Sequence, residues 1–201
     1  VARLYENLGY EVVHANYFGD LGPYVAKSIF ALVNKVAKVE KVKDFTPEII
    51  SKSKELIENV RKESGYKGLK EYFGNLYVEA SKVYESDDEV TGVIKEINTL
   101  LFNKENDLIN EIYLYTREVC YEYLNDFFAS LGVKYDRQYP ESEVSERGKE
   151  VVTQNIGKVF KEDQGAIIFD GKDYKLSNWV FLTSQRNPTY SGKELGLIDL
   201  K

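Results

Sequence analysis

The fold is decided by residues 8–23, which read LGYEVVHANYFGDLGP. Gly9 follows a helical pattern over residues 1–8 and suits the left-handed turn after a helix. Residues 11–18 have the apolar and aromatic content of a mostly buried strand, and residues 19–23 form a glycine-rich loop before helical spacing returns over 24–39. This succession predicts one step of an α/β layer, in which ligands sit at the carboxyl ends of strands.

Residues 41–103 show helical patterns and no strand signal. Thr46-Pro47-Glu48 combines a capping residue with proline at the first helical position, and it opens a helix to about Glu63. Further helices are expected over 69–84 and, after an acidic cap at 86–88, to about 102. This block is therefore expected to be an all-helical insertion.

The strongest helical periodicity runs from Ile109 to Leu131 and stops at Gly132. Beyond it, the patterns predict strands over 133–138, 165–169 and 178–183, a loop at 140–142, a helix over 144–159, and a last helix from Tyr190. The α/β pattern thus resumes after the helical block.

Composition excludes several classes of protein. The chain has 201 residues, of which 43% are hydrophobic and 30% charged, as in ordinary globular domains. No apolar run approaches the roughly 18 residues that a membrane span needs, so no membrane partner is expected. One cysteine and one histidine cannot form an internal disulfide or a four-ligand zinc site, and no metal site is predicted. The net charge of −6 works against general binding of nucleic acids.

Self-contained catalytic motifs are missing from the sequence. None of the four Gly-Lys pairs has the upstream glycine and the following serine or threonine of a P-loop. His14 has no recognisably spaced nucleophile, which favours a structural or surface role. Cys120 lies on the apolar stripe of its helix, where a cysteine is typically a small buried hydrophobe. Polar residues at strand ends and loops are left as candidates, although each alone is typical of turn chemistry.

The order of these polar motifs resembles one family. Residues 8–22 are similar to the segment that follows the first signature motif of class I arginyl-tRNA synthetases, which typically reads L-G-x-x-V and then N-Y-x-G-D-x-G. Matches follow in the same order at 131–136, 141–142, 165–166 and 187–196, whereas residues 41–103 match no named motif. Several colinear motifs are more specific than any one of them. The chain therefore resembles an internal part of the catalytic domain of these aminoacyl-tRNA synthetases.

The resemblance implies a fold and an activity. The fold would be α/β, a partial Rossmann-type (HUP-like) catalytic domain with a large helical insertion. Residues 1–40 would be the first part of the catalytic core, 41–104 the insertion and 105–201 the second part. The complete enzyme would be a cytoplasmic arginine–tRNA ligase that uses Mg-bound ATP to attach L-arginine to its tRNA.

The resemblance also assigns an arginine pocket. Glu141 matches the glutamate that contacts the substrate, Tyr190 matches a tyrosine that lines the pocket, and Glu194 stands at a position that is often aspartate and pairs with the guanidinium. Carboxylates suit a planar guanidinium because they accept paired hydrogen bonds. The three side chains are therefore expected to converge on one pocket. Four further residues are candidates for an active-site loop: Asn16, Gly19, Asp20 and Ser142.

Two family motifs have no match in the sequence, namely the His-x-Gly-His motif and the Lys-Met-Ser-Lys-Ser loop, which serve ATP. The sequence also has no methionine, even at position 1, and Val1 opens directly into a helical pattern. We therefore expect a piece of a longer protein, without catalytic residues of its own. By itself it should bind no cofactor and should not activate arginine.

The stretch from Lys35 to Lys70 holds ten basic and six acidic residues. A solvated helix face with paired charges is the simpler interpretation. The alternative is contact with tRNA, for which the candidates are Lys35, Lys38, Lys41 and Lys43.

Two other interpretations of the whole chain stay open. One is a non-catalytic helical interaction module derived from a synthetase, which would use some of its sixteen tyrosines to bind a protein partner. The other is an unrelated acidic α/β domain that matches by chance.

Overall fold

The computed structural model describes residues 1–200, with seven α-helices and five short strands. In chain order they are α1 (Ala2–Asn7), β1 (Ala15–Phe18), α2 (Pro23–Asn34), α3 (Pro47–Ser86), α4 (Asp88–Asn103), α5 (Asp107–Ser130), β2 (Arg137–Pro140), α6 (Glu141–Gln154), β3 (Lys161–Asp163), β4 (Ala166–Phe169), β5 (Trp179–Leu182) and α7 (Tyr190–Ile198). No helix in this part of the chain is both long enough and apolar enough to cross a bilayer.

The chain forms two compact units. The mixed unit contains residues 1–20 and the chain from 133 onward, and the helical unit contains residues 21–132. The sequence-based borders, 40/41 and 104/105, differ from these. The difference has a packing cause, because Leu32 of α2 and Ile112 of α5 are buried in the same core as Ile57 and Ile97 of α3 and α4. Helices α2 and α5 therefore belong with the helical block.

The helical unit follows the periodicity of the sequence. Thr46 caps α3 by accepting a hydrogen bond from the Ile49 N–H at 3.3 Å, and Asp87 caps α4 in the same way. The two helices expected on either side of residues 64–68 are present in α3 and meet at Gly65, where the backbone is not helical. Gly65 has φ +61° and ψ −164°, a conformation that glycine adopts readily. The long amphipathic stripe is confirmed as α5.

In the mixed unit, β1 and β2 form a parallel pair with Tyr17 opposite Tyr139. The strand predicted over 11–18 is shorter than expected, since the pairing starts only at Ala15. The preceding His14 N–H donates instead to the Asp136 carboxylate at 2.9 Å. The expectation of a mostly buried strand was also wrong, because Val13 is exposed and β1 is at most half-buried.

The other strands form an antiparallel sheet in the order β3-β4-β5. Strands β4 and β5 confirm the predicted runs, and β3 lies beyond a helix that was predicted to continue to 159 but ends at Gln154.

Helix α6 begins at Glu141, so the loop predicted at 140–142 was wrong. Pro140 ends β2 and, with extended backbone at ψ 148°, leads directly into the helix. Glu141 and Glu143 in the first turn suit the positive end of the helix dipole. A Cβ at Gly148 would lie 2.2 Å from the Gly192 carbonyl oxygen, so α6 and α7 pack backbone to backbone.

Candidate functional site

A buried ion pair joins the two helices of the mixed unit. The Lys193 ammonium in α7 lies 2.5 Å from a Glu141 carboxylate oxygen, and the side chains are only 6% and 7% exposed. A buried charge is costly unless it is paired, so each group depends on the other. The sequence analysis missed Lys193, although it directly precedes the predicted Glu194. Its role is identified only by its contact with Glu141, which lies 52 residues earlier in the sequence.

Asp20 and Ser142 bind one another where β1 ends and α6 begins. The buried Asp20 carboxylate accepts hydrogen bonds from the Ser142 N–H at 2.8 Å and from its hydroxyl at 2.6 Å. This carboxylate also lies at the positive end of the α6 dipole. The contact fixes the first turn of α6, which carries Glu141, against the end of β1. Of the other loop candidates, Asn16 is half-buried in β1 and Gly19 is exposed.

Tyr190 and Glu194 are exposed on α7. The hydroxyl of Thr189 accepts a hydrogen bond from the Gly192 N–H at 3.3 Å and thereby caps α7 at Tyr190. Glu194 follows one turn later, and its hydrogen bond with the Tyr190 hydroxyl raises the pKa of Tyr190 above the ordinary value. These two side chains therefore form an exposed polar pair.

Tyr17 of β1 lies among the predicted pocket residues. Its ring centroid is 5.9 Å from that of Tyr190. Burial raises the pKa of the Tyr17 hydroxyl, and the charges of Glu141, Tyr190, Glu194 and Asp20 raise it further. The structure thus brings the three predicted side chains into the neighbourhood of one tyrosine, with Glu141 buried and the other two exposed. Tyr17 belongs to the motif at residues 8–22 but was not among the predicted site residues.

A cleft of about 370 Å³ opens beside Glu194. Its lining is mainly apolar and aromatic, and Glu194 supplies a carboxylate. A mainly apolar wall with few polar groups is typical of small-molecule sites. The lining residues are Trp179, Phe181, Ser191, Glu194, Leu195, Leu197 and Ile198.

The two other candidate groups, His14 and Cys120, have surroundings that do not favour catalysis. The His14 ring contacts Glu6 at 2.8 Å on the surface of the mixed unit. Cys120 lies in the helical unit, where burial raises the pKa of its thiol to about 11 and disfavours the reactive thiolate. Within residues 1–200, no three histidine, cysteine or acidic side chains are grouped so that they could hold a metal ion.

The basic candidates lie in the helical unit and are exposed. Lys35 pairs with Glu79 at 2.6 Å, and Lys38 forms an ion pair with Glu40. Two of the four charges therefore have carboxylate partners, as the solvated-face interpretation expects.

These features define the class of protein to which the chain is similar. Its mostly helical α/β fold matches that of an arginyl-tRNA synthetase from Plasmodium falciparum with a TM-score of 0.58, over 98% of this chain and 29% of that one, at 15% sequence identity. No protein-family model matches the sequence.

The curated relatives that the chain matches are arginine–tRNA ligases. The chain is 28% identical over 216 residues to the arginine–tRNA ligase of Pyrococcus abyssi and 24% identical over 212 residues to that of Borreliella afzelii. These alignments cover 97% and 100% of the chain but only 30% and 32% of the relatives. The predicted resemblance to a part of arginyl-tRNA synthetases is confirmed, and the chain spans about 30% of the length of the relatives it matches.

Proposed function

We propose that the chain is part of an arginine–tRNA ligase and carries part of its arginine-binding site. The observation that carries this proposal is the exposed Tyr190–Glu194 pair, which lies beside a largely apolar cleft and near the Glu141–Lys193 ion pair. The similarity to arginine–tRNA ligases along the chain supports it.

Glu194 is the carboxylate that we assign to the guanidinium. It is exposed, and a carboxylate can accept two parallel hydrogen bonds from a guanidinium. Tyr190, one helical turn before Glu194, interacts with this carboxylate through its hydroxyl, and we assign it to the same substrate site. Glu141 contributes a second negative charge whose position is fixed by Lys193. Asn16, Gly19, Asp20 and Ser142, which lie in or after β1 and at the start of α6, are the further residues that we assign to the site.

The charge at this site suits a cationic ligand. The negative charges of three carboxylates, those of Glu141, Glu194 and Asp20, raise the pKa of the Tyr17 hydroxyl. The Lys193 ammonium offsets one of them. A site with an excess of negative charge attracts cations and repels anions. This balance favours the side chain of arginine over a phosphate.

ATP, whose triphosphate stays anionic even with Mg²⁺ bound, fits the described residues poorly for the same reason. We therefore propose that other parts of the complete enzyme hold them, and we assign the residues of this chain no step of the ATP chemistry. The parallel β1–β2 pair, with site residues after each strand, is an arrangement found in Rossmann-type sheets. It supports a partial Rossmann-type (HUP-like) catalytic domain, which we place in the cytoplasm with tRNA charging. Of the four lysines considered for contact with tRNA, Lys41 and Lys43 are stronger candidates than the ion-paired Lys35 and Lys38.

Arginine-dependent exchange of pyrophosphate into ATP tests this proposal. The complete protein that contains this chain should catalyse exchange with arginine and not with lysine, whereas the chain by itself should catalyse none. Exchange by the chain alone would contradict the assignment of ATP to other parts of the enzyme. A complete, folded protein without exchange would favour the non-catalytic interaction module.

A further inference from the structure

Two tyrosines stand opposite one another in the parallel β1–β2 pair, and their hydroxyls differ. Tyr139 is buried, and its hydroxyl donates a hydrogen bond to the Leu200 carbonyl oxygen at 3.0 Å. The hydroxyl oxygen of Tyr17 is also buried, but within residues 1–200 it has no hydrogen-bond partner. A buried polar atom without a partner costs free energy, and such atoms in native proteins often have a functional cause.

The acidic groups around Tyr17 each interact with another residue. Glu141 is held by Lys193, and Asp20 is held by Ser142. Glu194 is hydrogen-bonded to Tyr190. The acidic side chains whose charges reach Tyr17 therefore all have partners of their own.

The same surroundings restrict what can satisfy the Tyr17 hydroxyl. A ligand carboxylate or phosphate would be repelled by the surplus of negative charge. A cation that carries several N–H donors is attracted, and the oxygen of a neutral hydroxyl can accept one of those hydrogen bonds. A guanidinium offers five N–H donors in one plane, so it can bind Glu194 with one edge and still donate to a second acceptor.

We propose that Tyr17 is a ligand-contacting residue whose hydroxyl oxygen accepts a hydrogen bond from the bound guanidinium. Tyr190 is 57% exposed and its ring packs on Tyr17, so a ligand held by the α7 pair would lie next to Tyr17. This inference rests on the proposed function and adds a specificity-determining residue from β1 to the exposed pair on α7.

Replacing Tyr17 by phenylalanine tests the proposal, with Tyr139→Phe as the matched control. In the complete enzyme, Tyr17→Phe should raise the KM for arginine roughly 10-fold or more, the factor expected for a hydrogen bond to a charged donor. The KM for ATP should be unchanged, and Tyr139→Phe should leave both constants near those of the wild type.

The stability of the ligand-free chain provides a second readout. Tyr17→Phe should keep or raise the midpoint of thermal unfolding because it removes a polar atom without a partner, whereas Tyr139→Phe should lower it. A wild-type enzyme that does not activate arginine would refute the proposed function itself. An active enzyme whose KM for arginine is unchanged by Tyr17→Phe, or a ligand-free chain that this variant destabilises, would overturn the role of Tyr17 alone.

Discussion

Replacing Lys193 by methionine should destabilise the mixed unit strongly. Methionine is uncharged and nearly as long, so the substitution removes the charge while it keeps most of the packing. The Glu141 carboxylate would then be buried without its cation, since the two side chains are 7% and 6% exposed. Breaking a buried ion pair at one partner typically costs about 3–5 kcal/mol. With a urea dependence of about 2 kcal/mol per molar, the unfolding midpoint should fall by roughly 1.5–2.5 M.

The fluorescence of Trp179 is a direct assay of this loss. It is the single tryptophan of the sequence and lies in β5, so it reports on the unit that holds the ion pair. Lys161→Met is the matched control, because Lys161 pairs with Asp170 on the surface and is 53% exposed. Exposed pairs contribute little, and this variant should unfold near the wild-type midpoint.

A double variant separates lost charge from lost packing. Adding Glu141→Gln to Lys193→Met removes the unpaired carboxylate and should restore most of the stability. The reasoning is refuted if Lys193→Met and Lys161→Met shift the midpoint equally. It is also refuted if the double variant is as unstable as Lys193→Met alone.

Three further predictions follow from the packing, the thiol and the basic stretch. Gly148→Ala should lower the free energy of unfolding by about 1–3 kcal/mol in urea titrations, because its Cβ would meet the α7 backbone. Gly74 in α3 has open space around it, so Gly74→Ala should raise the free energy of unfolding by up to about 1 kcal/mol. Equal effects of the two variants would contradict the close contact of α6 and α7. Cys120 should react slowly with a thiol reagent at pH 8 and faster as the pH approaches its pKa of about 11, whereas rapid labelling of the folded chain at pH 8 would contradict its burial. Neutralising Lys41 and Lys43 should weaken tRNA binding by the complete enzyme and flatten the salt dependence of that binding. Neutralising the ion-paired Lys35 and Lys38 should have a smaller effect. Unchanged tRNA binding across a salt series would favour the interpretation of this stretch as a solvated helix face.

The helices were predictable because their signals are local. Thr46 caps the helix that begins at the next residue, and the apolar stripe of α5 is formed by residues three or four positions apart. The place of Tyr190 and Glu194 on one face of α7 follows from a spacing of four residues. Local signals of this kind need no knowledge of the tertiary fold.

The parts of the site that the sequence could not predict depend on contacts between distant residues. The pairing of Glu141 with Lys193 joins positions 52 apart, and that of Asp20 with Ser142 joins positions 122 apart. Strand β1 begins at Ala15 and not at residue 11 because its partner strand β2 begins at Arg137, which is also distant in the sequence. The family resemblance predicted that both carboxylates belong to one pocket, but only the packing shows that Glu141 is already bound by a lysine while Glu194 is exposed.

The Michaelis constants of a Glu194→Gln variant test the central claim most directly. This variant of the complete enzyme keeps the size of the side chain and removes the charge that we assign to the guanidinium. Losing a hydrogen-bonded charge partner worth about 1.5–3 kcal/mol should raise the KM for arginine about 10- to 150-fold. The KM for ATP should stay within about twofold, since we assign ATP to other parts of the enzyme. Glu162→Gln, at an exposed glutamate that pairs with Arg186 in the same unit, should change neither constant. Equal increases in both constants, or no increase for arginine, would contradict the assignment of this site to arginine.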